Sequence, residues 1–549
     1  MTFSSLEEKI DHARTLEVEP GSLNTDISKM IDSCKSKEDL YLSFLDTSHN
    51  KTDITYQQFY DHVIGVARFY AAQGLRSGDK VATISHNHWH TVVQYFAAWY
   101  CGLVVVPVNV GEDDNRIAYI LENAEVKLAL VREDYIERIK GIIVENDSIV
   151  DLEIVECGDE VDAFKVKDNS MTVEPFTDIE GEAFIVFTSG TTGNPKGVVL
   201  TQRNLLEDAR TISQWHNING QTKMMCVLPI HHVNGTVVTL ITPFFVGAST
   251  VLNQKFSAGH FFSVIEKEGV HIVSVVPTLL QYLTSHYADL ESHRPESLRH
   301  IICGAGPLTV QVAKNFEQKF EVPIIHGYGL SETTCYSCFL PIKQSREKHE
   351  HWMRDFGYPS IGIPVPANEM DIQDENGSSV PEGERGEIVI RGVNVMKGYF
   401  NNQEANESAF KNGWFRSGDE GFYKRDEDGH SYFFITGRLK ELIIRGGINL
   451  APLEIDEVIN RAPGVKAGIA VGFENDWYGE EVGAYVQLKE GAKKDAEVIV
   501  EYCQEHLPFS KAPKVVVFGD QLPVTSTGKY QRLKVAHLFE KWKDVQFRK

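Results

Sequence analysis

Cysteine is scarce, with 8 in 549 residues. That is too few for a disulfide framework and points to a reducing compartment. Cys335 and Cys338 form one CxxC, but no second pair or suitably spaced histidines accompany it. They read as core or pocket residues rather than zinc ligands. Long apolar runs are also missing. The most apolar stretch, 91–108, is broken by Gln94, Gly102 and Pro107. It reads as a buried helix to about Cys101 and then a strand, not as a transmembrane segment. The first residues are charged and lack the apolar region of a secretion signal, so a cytoplasmic location is expected. Basic charge is in deficit, with 54 Lys+Arg against 77 Asp+Glu and a net charge of −23. This excludes a chain built to coat nucleic acid, which needs a basic face.

What is present is ordinary globular composition, 42% hydrophobic and 24% charged, which excludes a disordered or collagen-like chain. Up to about Glu180, helical stretches alternate with short β-rich runs such as KVATI, LVVVPV and VKLALV. The middle continues with STVL, HIVSVVPT, HIICGAG and PIIHGYG. This alternation predicts an α/β layered fold with ligands gathered past the strand ends. From about Glu369 the pattern becomes antiparallel, with a DENGS turn. After Lys440 comes a smaller α+β piece: ELIIRGG, a helix opened by Pro452, and strands GIAVGF and EVGAYVQL. The acidity is confined to the first part, because residues 437–549 carry 17 Lys+Arg and 16 Asp+Glu. Two domains are expected, 1–439 and 440–549.

The strongest local signal is TSGTTGNPKG, Thr188 to Gly197, at the end of the strand AFIVF. Its three glycines allow backbone N–H groups to converge, and four hydroxyls and Lys196 add donors and one positive charge. That is the chemistry a polyphosphate requires. The spacing is not that of a P-loop, which needs GxxxxGK[ST].

This loop resembles the phosphate-loop signature of the acyl-adenylate-forming superfamily, which includes acyl-CoA synthetases, peptide-synthetase adenylation domains and firefly-type luciferases. Further motifs follow in that family's order over nearly the whole chain. The resemblance implies a large multi-layer N-terminal domain, with α/β subdomains and a small β-rich one, and a small mobile α+β lid. It implies that Thr188, Ser189, Gly190, Thr191, Thr192, Gly193 and Lys196 hold the ATP phosphates, with Thr191 also assisting the metal and the chemistry. CGAGPL resembles the stretch whose Gly304, Ala305 and Gly306 lie along adenine. In HGYGLSETT, Gly327, Tyr328, Gly329 and Ser331 would border the nucleotide, Tyr328 by stacking, and Glu332 would bind Mg²⁺ as a hard oxygen ligand. WFRSGDEGF supplies Asp419 for the ribose hydroxyls, and ITGRLKELIIRGGIN supplies Arg438 for the ribose and Lys440 as the pivot. Gly446 and Gly447 belong to a loop that faces the site in the second step; Ile448 stands where a Glu is frequent in the family.

PVTSTGKYQR resembles the last motif, with Lys529 as the catalytic lysine that stabilises charge on the α-phosphate. LPIHHVNGT resembles LPxxHxxG, which makes His232 the acyl-pocket gate, while His231 sits where an aromatic is common. The implied activity is AMP-forming acid–CoA ligation with ATP, Mg²⁺ and CoA. The alternative is a stand-alone adenylating enzyme that loads a carrier protein. The segments TVVTLITPFF and CYSCF suit an apolar tail, so a fatty or other hydrophobic acid is expected. A monomer or homodimer without nucleic-acid partners is the expected assembly.

Overall fold

The computed structural model describes residues 3–16, 23–149, 151–158, 172–188, 194–287, 294–524 and 530–548. Two mixed sheets dominate the first part. One has the order Gly398–Tyr399, Lys196–Thr201, Glu182–Thr188, Val104–Val108, Lys80–Ile84, Val126–Arg132, Glu153–Cys157. Its central strands are parallel and buried on both faces, which is why they read as nearly unbroken β-branched runs. The other is nine strands wide, and its parallel centre includes Lys223–Cys226, Ile272–Val275, His300–Cys303 and Ile324–Tyr328.

The helix Gln202–Trp215 follows directly on the strand Lys196–Thr201. Thr201 caps it reciprocally with Asn204, satisfying donors the first turn cannot pair internally. A four-stranded antiparallel sheet, Asn368–Gln373, Gly386–Gly392, Phe415–Arg425 and Ser431–Arg438, carries the DENGS turn after its first strand.

A separate sheet begins at Ile443–Arg445, after the short turn Leu439–Glu441. The helix Pro452–Ile459 packs on its long hairpin, Val465–Asn475 with Gly479–Leu488. This piece has apolar clusters of its own, one centred on Ile455, Ile459 and Val482 and one on Phe473 and Phe539. Among the described residues, no helix is long and apolar enough to cross a membrane.

Candidate active site

Three predicted nucleotide residues meet at the carboxyl end of Ile324–Tyr328. The Tyr328 hydroxyl donates to Asp419 Oδ2 at 2.6 Å, and Arg438 Nε lies 2.8 Å from Asp419 Oδ1. Antiparallel pairing sets Asp419 directly opposite Arg438. Asp419 is buried, so its charge requires this pairing. Burial, and then the Asp419 carboxylate, push the Tyr328 phenol well up, so it remains a donor. Asp419 also raises the Arg438 guanidinium, which stays cationic. A carboxylate that holds both a phenol and a guanidinium is fixed in place.

A second group gathers beside it. Tyr399 donates to Glu332 Oε1 at 2.9 Å, and Lys196 Nζ lies 4.9 Å over the Tyr399 ring. Glu332 sits in the turn Ser331–Thr333, immediately after the Tyr328 strand. Its second carboxylate oxygen is a hard donor, beside a lysine that also suits phosphate. That set fits Mg²⁺, which takes one or two carboxylates and completes its shell with phosphate and water. The strands on either side of the phosphate loop pair antiparallel, with Thr188 opposite Lys196. The loop therefore connects a hairpin; it does not lead from a strand into a helix as in P-loops. Ser189, Gly190, Thr191, Thr192 and Gly193 lie outside the described residues, as does Lys529.

The flanks of Lys529 are described. Val524 bridges Tyr530, and Gln531 N donates to Pro523 O at 2.8 Å. Val524, Gln531 and Lys534 line a cavity of about 370 Å³ together with His231, His232, Phe187 and Pro195. Phe187 and Pro195 stand just before and just after 188–194 in the chain, so the flanks of that segment and of Lys529 line one cavity. A larger cleft of about 1130 Å³ runs between the two parts, from Leu228 and His231 to Lys466, Lys489 and Tyr530. His231 lines both cavities, a position the sequence did not signal. Burial and the neighbouring His232 push the His231 imidazole well below its ordinary range, so it is neutral. Lys440 is exposed at the turn between the parts. Gly446 and Gly447 occupy the exposed two-residue turn of the hairpin Ile443–Arg445 with Ile448–Leu450, where both have positive φ, as a primed turn requires.

The predicted acyl pocket differs from expectation. The sequence sets an apolar tail along Thr236–Phe245 and Cys335–Phe339. Instead, Asn234–Ile241 is a buried π-helical turn packed into the core, and Cys335, Tyr336 and Cys338 are buried too. Tyr336 packs against Gly304. Asn234 Nδ2 donates to its hydroxyl at 3.1 Å, and Ser274 Oγ donates to Asn234 Oδ1 at 2.7 Å. A Cβ on Gly304 would stand 2.6 Å from that hydroxyl, so the Gly there is required by the ring. Gly327 and Gly329 likewise have no room for a side chain against Phe339 and Cys335. Ala305, at φ +61°, and Gly306 form the turn that follows the strand His300–Cys303.

Comparison with known proteins agrees with this arrangement. Residues 35–400 match the family described as AMP-binding enzyme, and residues 454–529 match the AMP-binding enzyme C-terminal domain. The chain is 34% identical to a sulfoacetate–CoA ligase of Cupriavidus necator, over 86% of this chain and 89% of that one. It is 31% identical to an oxalate–CoA ligase of Arabidopsis thaliana, over 89% and 95%. ATP-bound MatB from Rhodopseudomonas palustris superposes with a TM-score of 0.84 at 26% identity, over 94% of this chain and 99% of that one. Its apo form gives 0.73 at 25% identity, over 95% and 100%. With residues 35–400 and 454–529 both matched, the chain belongs to the AMP-binding enzyme family.

Proposed function

We propose that this AMP-forming acid–CoA ligase acts on a short acid with a polar far end, and that residues 1–439 and 440–549 divide the reaction between them. ATP, Mg²⁺ and CoA are its co-substrates and metal. In the first step a carboxylate oxygen bonds to the α-phosphorus of ATP and pyrophosphate leaves with the electron pair of the broken P–O bond. In the second the CoA thiolate adds to the acyl carbon, AMP leaves, and the thiol proton goes to solvent.

On this reading the large part is the nucleotide template. Tyr328 borders the adenine, Asp419 and Arg438 hold the ribose, and Lys196 and the loop 188–193 hold the phosphates. Glu332 carries Mg²⁺, which when bound neutralises phosphate charge. His232 borders the acid. Lys529 contributes a cation that matters as negative charge builds on the α-phosphate, an effect of preorganised electrostatics rather than proton transfer. In support, Val524 and Gln531, on the two sides of Lys529 in the chain, line the same cavity as His232. The greater likeness to ATP-bound than to apo MatB favours the same assignment of state. For the second step the lid turns at Lys440 and exchanges Lys529 for the loop Arg445–Asn449, because one opening cannot hold both the lysine and a thiol channel.

The observation that carries the acid assignment is Tyr336. It is 1% exposed, with its hydroxyl held by Asn234 against Gly304, and on this reading it closes the end of the acid pocket. The names of two relatives, sulfoacetate and oxalate ligases, point to the same class. AMP release over a panel of acids tests it. Two- to four-carbon acids with a second polar group should be turned over and dodecanoate should not. Tyr336→Ala should raise kcat/KM for hexanoate about 10-fold, the worth of roughly one buried methylene. A parent enzyme that prefers dodecanoate contradicts the reading.

A further inference from the structure

Helix Gln202–Trp215 carries an acid that none of the chemistry above uses. Asp208 is 0% exposed on its inner face. Its Oδ1 accepts from Asn394 Nδ2 at 2.9 Å, and the same amide nitrogen donates to Tyr336 O at 3.1 Å. Asn394 also receives the Thr334 hydroxyl on its backbone carbonyl at 2.6 Å. Asn394 is therefore bonded to two residues of the segment that directly follows Glu332. One residue pair further along, Met396 N donates to Glu332 O at 2.8 Å. From the same helix Asn204 donates to Val393 O and Val395 O, at 2.8 and 3.0 Å, fixing the strap from both sides.

This bracing has something to hold. Thr334 adopts φ +63° and ψ −58°, a conformation a β-branched residue reaches only at a cost of order 1–3 kcal/mol, so the surroundings must impose it. The strained residue lies two positions from Glu332. Burial pushes the Asp208 carboxyl up to about 8, against the hydrogen bonds from Asn394 and the Tyr336 backbone. A neutral carboxyl can brace the strap without placing a second negative charge beside the metal ligand.

We propose that Asp208 is a positioning residue for the metal: acting through Asn394, it holds the strained 332–336 turn so that the Glu332 carboxylate faces the nucleotide phosphates. The inference rests on the reading of Glu332 as the Mg²⁺ ligand. It extends the site to a helix that contacts neither nucleotide nor acid on that reading.

The test is Mn²⁺ affinity, measured by electron paramagnetic resonance on full-length protein saturated with a non-hydrolysable ATP analogue, beside AMP affinity measured without metal. Asp208→Ala should weaken Mn²⁺ binding about 10-fold, the effect expected when an outer partner of a metal ligand is lost. AMP affinity should stay within about twofold, and Asp208→Asn, which keeps a neutral acceptor for Asn394, should restore the Mn²⁺ affinity. If Asp208→Ala does not fold, Asn394→Ala carries the same expectation. Unchanged Mn²⁺ affinity in the Ala variant, or equal weakening of AMP and Mn²⁺, overturns the inference. Glu332→Gln is measured alongside. A large loss there with none from Asp208→Ala defeats this inference alone, whereas no loss from Glu332→Gln defeats the reading of Glu332 and the inference with it.

Discussion

The two parts of the chain handle their charged groups in opposite ways. In the large part the site residues are tied to one another: Tyr328 and Arg438 to Asp419, Tyr399 to Glu332, Asn394 to Asp208. In the small part the anchoring charges lie behind the working surface. Arg532 is buried against Asp456, 2.5 Å away, with Glu441 at 3.5 Å, two residues beyond the Val524–Tyr530 bridge. The small part's first hairpin is left in water, with Ile444 53% and Ile448 60% exposed. The contacts between the parts are both polar and apolar: Glu457 accepts from Gln311 N, Glu454 faces Tyr358 and Arg385, and Leu453 packs against the large part's core. The proposed two-step exchange asks for a large part that keeps its shape and a small part that moves against it.

Three changes break or sharpen that contrast. The largest effect falls on the cap's lysine. Lys529→Ala should lower acid-dependent pyrophosphate release about 10²–10³-fold, the loss seen when one preorganised charge-stabilising group is removed. Thioester formation from supplied acyl-AMP should persist, and equal loss of both steps would erase the proposed division. Next comes the cap's anchor. Arg532→Ala leaves Asp456 buried without its cation, at a cost of about 3–5 kcal/mol. Calorimetry should show the small part melting first while the large part's transition is unmoved; a single transition shifted as a whole would mean that the parts are not independent.

The smallest effect concerns the template. Asp208 holds its proton to about pH 8 when folded but releases it near 4 when unfolded, and the nearby Cys335 thiol, itself pushed well up, stays neutral. The folded state then binds more protons between those values, so stability falls as pH rises from 4 to 8. Asp208→Asn lacks that slope. Its melting temperature relative to the parent should climb between pH 5 and 8, and a flat difference would mean that the carboxyl is already ionised.

Much of the framework was legible in the sequence. Strands such as Lys80–Ile84, Val104–Val108 and Ile324–Tyr328 are β-branched runs closed by turn residues, and the DENGS segment turns where it was expected. Local pattern failed where a partner lies far along the chain. An aspartate in a helix reads as solvated, yet Asp208 is buried because Asn394, 186 residues away, meets it. Thr236–Phe245 reads as pocket lining because it is apolar, and core segments are apolar for the same reason. Tyr336 reads as one more aromatic until Asn234 and Ser274 are seen to pin its hydroxyl. The double histidine gave no sign that His231 would border two cavities.

The most direct measurement is isotope exchange between pyrophosphate and ATP, run without CoA on purified protein with Mg²⁺ and short polar acids. The account predicts exchange that requires the acid, with net AMP and thioester appearing once CoA is added. ADP and orthophosphate as products, or no exchange with any acid, would contradict it.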